Sequence, residues 1–176
     1  TKGEKTVRDF ARQDAGLLVG MGVKAVVVAC NTASAFALEH LQRAVAYAEP
    51  REASLLLENL NFEPPDAEVH YLAHTVDECR YYFDVIASAY FGWAFTVNHA
   101  HLVPEGIGGF LDAFGTARIG EVRLADCHGD KEEHLRPGEG TIDFQRLFQR
   151  LESAGYQHHY MMAFGSLDDR LTGREF

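Results

Sequence analysis

The sequence has few of the features that mark secreted, membrane or nucleic-acid-binding proteins. Its three cysteines in 176 residues, an odd number, do not make a disulfide framework. Its longest apolar runs, such as residues 25–30, fall far short of the roughly 20 residues of a membrane span. Basic residues are scarce: 16 against 26 acidic residues give a net charge of −10, which argues against a nucleic-acid or anionic-membrane partner. Residues 1–4 lack the apolar segment of a secretory signal, so we expect a cytoplasmic protein.

What the sequence contains is a helical pattern followed by a strand pattern, repeated five times. The continuous apolar run at residues 25–29 is typical of a parallel strand that is covered on both faces. Two-residue hairpin turns are missing between the strand patterns. These observations predict an α/β fold over residues 1–176, with five parallel strands alternating with helices. The sheet is either half of a TIM barrel or a flavodoxin-like open sheet, and periodicity does not choose between them.

Two helix starts carry capping signals. Residues 75–78, Thr-Val-Asp-Glu, form a capping box, in which the Thr hydroxyl and the Glu carboxylate satisfy the free amides of a helix start. Thr141 is predicted to cap the last helix. Cys79 falls on the apolar stripe of the helix after Thr75, so we expect it in the core.

Polar side chains follow the predicted strands, where both candidate folds collect their functional groups. Glu58, Asp126 and His128, together with His99, are plausible ligands for Mn²⁺, Mg²⁺ or Zn²⁺. The alternative is that they cap helices and solvate a rim. Cys30 is either a thiolate at a helix start or a buried apolar cysteine.

The first part of the chain resembles glutamate racemase. Residues 22–35, which read Gly-Val-Lys-Ala-Val-Val-Val-Ala-Cys-Asn-Thr-Ala-Ser-Ala, match the first catalytic-cysteine motif of that family, and the resemblance covers residues 2–42. It implies that Cys30 is catalytic, exchanging a proton at the α-carbon of glutamate, and that Asn31 and Thr32 hold substrate groups. The second cysteine motif of that family, of Gly-Cys-Thr-His type, is missing, so racemisation is not expected.

Residues 43–176 resemble the second half, strands five to eight, of the xylose isomerase-like sugar phosphate isomerase/epimerase barrels. Three segments carry the resemblance: Leu57-Glu58-Asn59-Leu60, Asn98-His99-Ala100-His101 and His134-Leu135-Arg136-Pro137-Gly138-Glu139-Gly140. That family holds a divalent metal with Glu, Asp, His and Glu on four successive strands, and moves hydrogen between adjacent sugar carbons.

The resemblance implies that Glu58 is the first metal ligand and that His99 is a catalytic residue on the substrate side. Thr96 and Arg123 stand at the next two ligand positions, and the last falls near residues 163–164. Three of the four usual ligands are therefore absent, so either the site uses neighbours such as His99, Asp126 and His128, or it is not a metal site. The residues expected to bind substrate in this half are Asn98, His101 and His134.

The two resemblances meet near residues 36–43, which predicts a chimeric or engineered protein without full catalytic activity. The alternative is a metal-dependent sugar isomerase or epimerase that uses Mn²⁺ or Mg²⁺ and a small polar substrate. A half-barrel leaves an open sheet edge and an exposed apolar interior, so we expect a homodimer.

Overall fold

A computed structural model describes residues 38–68 and 70–165, together with residues 25–28 and the single positions 13, 17 and 21. The predicted first helix, and the end of the chain after residue 165, lie outside the described residues. Cys30, Asn31 and Thr32 lie outside them as well.

Five parallel strands form one sheet, which confirms the predicted fold class. The strands are β1 (Ala25–Val28), β2 (Ser54–Glu58), β3 (Phe91–Thr96), β4 (Ile119–Leu124) and β5 (His159–Met162). Each strand pairs in parallel with the next one along the chain, in the order β1-β2-β3-β4-β5. A flavodoxin-like sheet would place the second strand outside the first, so the observed order is that of a TIM-barrel arc.

Helices connect the strands and cover one side of the sheet. They are α1 (Leu38–Ala48), α2 (Val76–Val85), α3 (Val97–His101), α4 (Gly106–Phe114) and α5 (Phe144–Ser153), with a short 3-10 turn at Glu49–Arg51. Within the described residues, no helix has both the length and the apolar character needed to cross a bilayer.

The main core lies between the helices and the sheet. Trp93 and Phe95 from β3 are fully buried and pack on Phe110 of α4, and Phe83 of α2 packs against β3 at Phe91. Aromatic rings of this size supply much of the apolar area that a domain buries.

On the opposite side of the sheet, one large side chain packs over two glycines. Leu56 of β2 leans over two glycines, because a Cβ added at Gly92 or Gly120 would lie 2.8 or 2.7 Å from the Leu56 Cδ2 atom. A large side chain over small neighbours on adjacent strands is how the interior of a small barrel is filled. Glu58 lies two residues further along β2, on the same side of the sheet and at the end of the strand.

Of the two helix caps predicted from the sequence, the structure confirms the first and places the second on another residue. Thr75 caps α2, since its Oγ1 accepts from the Glu78 amide at 3.2 Å, and the Glu78 carboxylate accepts from the amide of residue 74. The prediction that Thr141 caps the last helix is wrong. Asp143 caps α5 by accepting from the amide of residue 146 at 2.9 Å, whereas the Thr141 hydroxyl donates to the Cys127 carbonyl.

Candidate functional site

Three strand ends converge on one buried carboxylate. Glu58 ends β2, and its Oε1 accepts from the Thr96 hydroxyl of β3 at 2.6 Å. Its Oε2 lies 2.6 Å from Nη1 of Arg123 of β4. The guanidinium thus occupies the side of Glu58 that a metal ion would need, and a fixed cation repels a second one. Glu58, Thr96 and Arg123 therefore do not fit a metal site.

Asn59 joins the ends of β2 and β3 and sets the orientation of His99. Its Oδ1 accepts from the Thr96 amide at 2.9 Å and from the Trp93 indole at 3.1 Å, and its Nδ2 donates to the Thr96 carbonyl. The Asn59 carbonyl lies 2.8 Å from Nδ1 of His99. A carbonyl can only accept, so the His99 proton sits on Nδ1 and its Nε2 faces away from the sheet.

A second histidine is fixed in the same manner. Nδ1 of His134 donates to the carbonyl of Ala163, just after β5. Its Nε2 lies 3.1 Å from Oε1 of Glu132, and Nε2 of His99 lies 3.3 Å from the same oxygen. The three ligand atoms all lie within 4.8 Å of one another. Two imidazoles and one carboxylate therefore converge on a single point above the sheet.

The electrostatics of this cluster need a positive charge. The Nε2 atom of His99 is buried, and within the described residues it makes no hydrogen bond of regular geometry, although Oε1 of Glu132 lies 3.3 Å away. With both Nδ1 atoms protonated, neutral imidazoles of His99 and His134 would direct their lone pairs at an anionic oxygen, which is repulsive unless a proton or a metal cation lies between them. Contact with His99 lowers the pKa of Glu132, desolvation opposes this, and His134 adds to the lowering. Glu132 is therefore an anion at neutral pH.

The metal set predicted from the sequence is not assembled by the structure. Asp126 is fully buried, and its two carboxylate oxygens accept four backbone amides. A carboxylate has about four acceptor sites, so none is left for an ion. His128 is largely exposed and pairs with Glu133 at 2.9 Å. Of the four residues first proposed as ligands, which also included Glu58, only His99 lies in the converged cluster.

Two predicted substrate-binding residues hold a loop instead. Asn98 is fully buried, and its Nδ2 donates to the Glu133 carbonyl at 2.9 Å. Nε2 of His101 lies 3.0 Å from the Thr141 hydroxyl on the same loop. His134, the third of these predictions, is part of the cluster.

Glu132 is the residue of this cluster that the sequence did not point to. It lies in an aperiodic loop between β4 and α5, where neither the helical nor the strand period points to a buried face. The spacing Glu132-x-His134, directly before the Leu-Arg-Pro-Gly-Glu-Gly segment, is the signal that was available.

The fold and this geometry can now be set beside known proteins. The family model described as "Xylose isomerase-like TIM barrel" matches residues 5–166. The chain belongs to this family. The match crosses residues 36–43, where a chimeric junction was predicted, so the chimera stays a prediction. The sheet order and the family agree that the fold is the TIM-barrel arc.

Solved structures give the same fold at low identity. A D-tagatose 3-epimerase-like protein is 20% identical with a TM-score of 0.77, and the alignment covers 97% of this chain and 67% of that one. The IolI protein with a bound zinc atom is 18% identical with a TM-score of 0.72, covering 99% and 67%. The chain thus spans about two thirds of the length of these proteins.

The racemase similarity is short. Glutamate racemase from Deinococcus radiodurans is 54% identical over 41 residues, which is 23% of this chain and 14% of the racemase. A segment of that length shows a shared piece of sequence and does not assign the chain to the racemases.

Proposed function

We propose that this chain binds a divalent metal through His99, Glu132 and His134, and acts as a sugar isomerase or epimerase on a small hydroxylated carbonyl compound. The observation that carries the proposal is the pair of carbonyl-locked imidazoles whose Nε2 atoms face one carboxylate oxygen. Histidines that bind metals usually donate their other ring nitrogen to a carbonyl or carboxylate.

The separations in the cluster suit a small ion. Two ligands that each lie about 2.1 Å from a tetrahedral Zn²⁺ are about 3.4 Å apart. The two Nε2–Oε1 distances are 3.3 and 3.1 Å, for His99 and His134 respectively. Among the described residues the cluster has three protein ligands, and metal sites that do chemistry keep an open position for water or substrate.

The ligand types favour a transition metal. Imidazole suits Zn²⁺ and its neighbours, and a carboxylate also suits Mn²⁺, whereas Mg²⁺ prefers oxygen ligands in a strict octahedron. Of the two ions first expected from the sequence, we therefore propose Mn²⁺ over Mg²⁺, with Zn²⁺ as the third ion to be tested.

The three proposed ligands differ in how far a substrate can reach them. A bound metal would polarise a substrate carbonyl and make the neighbouring C–H more acidic. Glu132 and His134 are roughly two-fifths exposed, with 37% and 43% of their side chains accessible, so a solute can reach them. His99 is buried beneath them and fixes the inner ligand position.

Metal binding is tested by titration calorimetry with Zn²⁺, Mn²⁺ and Mg²⁺. We expect one ion per chain, with His99→Ala, Glu132→Gln and His134→Ala each binding at least about tenfold more weakly, since outer-shell changes alone cost that much. His128→Ala is the matched control, because His128 lies on the same loop and pairs with a different carboxylate. A loss of binding in Glu58→Gln, with full binding in His134→Ala, would place the ion at the strand ends instead.

The reaction is tested by solvent exchange. Ketohexoses and their phosphates, incubated in D₂O with the metal-loaded protein, should gain deuterium at the carbon next to the carbonyl, and His134→Ala should not catalyse this. Metal binding with neither deuterium gain nor conversion of the sugar to its isomer or epimer would leave the site intact and remove the isomerase assignment.

A catalytically inert domain is the second candidate function. Thr96 and Arg123 occupy two positions where the sugar isomerases keep metal ligands, and the 41-residue racemase segment favours the chimeric origin. This candidate predicts neither stoichiometric metal nor solvent exchange in the two experiments above.

We also propose that the chain forms a homodimer. Within the described residues, β1 pairs only with β2 and β5 only with β4, so both edges of the sheet are unpaired there. Tyr160, on β5, is 45% exposed. Light scattering that gives twice the mass of the 19.6 kDa chain supports the dimer; the mass of one chain contradicts it.

A further inference from the structure

The loop that carries Glu132 and His134 is folded around one buried side chain. Asp126 is the second residue past the end of β4 and has no exposed surface. Its Oδ1 accepts from the amides of Cys127 at 2.9 Å and Ile142 at 3.1 Å. Its Oδ2 accepts from the amides of Gly138 and Gly140, each at 2.9 Å. One carboxylate therefore ties the beginning of the loop to its end.

The backbone of Asp126 holds the middle of the same loop. Its amide donates to the Leu135 carbonyl at 2.9 Å, and the Leu135 amide donates to the Asp126 carbonyl at 3.0 Å. Leu135 directly follows His134. The residue on the other side, Glu133, is held through its carbonyl by Asn98. The two ligands on this loop thus sit between fixed backbone points.

Two glycines let the loop approach the Asp126 carboxylate closely. A Cβ added at Gly140 would lie 2.4 Å from Oδ1 of Asp126, and a side chain there would displace the carboxylate. Gly138 has a φ of +95°, which glycine adopts with little strain and other residues rarely do. Both glycine amides lie at an ordinary hydrogen-bond distance of 2.9 Å from Asp126.

We propose that Asp126 is a positioning residue that holds Glu132 and His134 in place for metal binding. The inference rests on the proposed metal site. A buried carboxylate is costly unless it is hydrogen-bonded, and four amide donors offset that cost only when both oxygens are acceptors. An asparagine would turn one oxygen into an NH₂ group that faces two amide donors, so Asp126→Asn opposes the loop conformation without changing the size of the side chain.

The test compares Zn²⁺ titrations of the whole chain with Asp126→Asn and Gly140→Ala. We expect both variants to bind at least about tenfold more weakly with unchanged stoichiometry, because a loss of folded protein would lower the stoichiometry and leave the affinity of the rest unchanged. Asp143→Asn is the control, since Asp143 accepts from a single amide at the start of α5. Wild-type affinity in both Asp126→Asn and Gly140→Ala overturns the inference.

A metal-free measurement separates this inference from the metal proposal. The Nδ1 proton of His134 is held by the Ala163 carbonyl and should give a protected NMR signal in the wild type and in Asp143→Asn. That signal should be lost from Asp126→Asn, even if wild type binds no Zn²⁺. Retention of the signal in Asp126→Asn contradicts a positioning role, whereas absence of metal binding in the wild type contradicts the proposed function.

Discussion

Removal of Arg123 should destabilise the protein more than most single substitutions. Only 4% of the Glu58 side chain and 19% of the Arg123 side chain are exposed, and the two groups are in direct contact. Arg123 also lies 3.2 Å from Glu121, so Arg123→Met leaves two carboxylates without their cation. Breaking a buried pair from one side costs about 3–5 kcal/mol.

The loss can be read from urea unfolding. With a slope of about 2 kcal/mol per molar urea, a loss of about 4 kcal/mol lowers the midpoint by about 2 M. The double variant Glu58→Gln/Arg123→Met removes both charges and should recover most of the stability, since a neutral buried pair carries no desolvation penalty of this size. Glutamine can still accept from the Thr96 hydroxyl at this position.

Two results would refute this reasoning. A loss below about 1 kcal/mol for Arg123→Met would mean that the pair behaves like a solvent-exposed one. A double variant as unstable as Arg123→Met would mean that the packing of the arginine stem, and not its charge, is what stabilises the strand ends. The double variant is the control that separates charge from shape.

Three further outcomes are expected. Asp143→Ala should lose about 1 kcal/mol of unfolding free energy, because the helix loses its cap. Thr141→Ala should lose less in the same urea assay. A larger loss in Thr141→Ala would make Thr141 the cap. Native Cys79 and Cys127 should resist a thiol reagent at pH 8, because both are buried and burial raises the pKa of Cys127 to about 11; rapid labelling of either refutes this. The pKa of Glu132 is lowered in the fold, chiefly by its contact with His99, so its contribution to stability is lost in acid as the carboxylate becomes protonated; an advantage over Glu132→Gln that persists once the carboxylate is protonated contradicts the sign.

The alternation of strand and helix was readable from the sequence because it is a local property. The apolar run before Cys30 and the capping box at Thr75 are each set by neighbouring residues, and such local signals predicted the alternating strands and helices. The order of the strands depends on how the sheet curves and closes. It became clear only from the pairing, which runs in sequence from β1 to β5.

The candidate site was only partly readable because its residues acquire their roles from distant partners. Asp126 has the chemistry of a metal ligand, but the amides of Gly138 and Gly140 fold back onto it. Glu58 matches a family ligand, yet a neighbouring strand supplies Arg123 to it. Sequence spacing gives no sign of the glycine amides, and it places Arg123 at a family ligand position without showing that its side chain pairs with Glu58. His99 was identified because it lies three residues after the end of β3 and because the family resemblance points to it.

The central claim is the location of the metal, and anomalous diffraction from crystals grown with Zn²⁺ tests it most directly. The account predicts a single strong peak within about 2.1 Å of Nε2 of His99, Nε2 of His134 and a carboxylate oxygen of Glu132. A peak beside Glu58 with Arg123 displaced, or no peak between the two histidines, would contradict it.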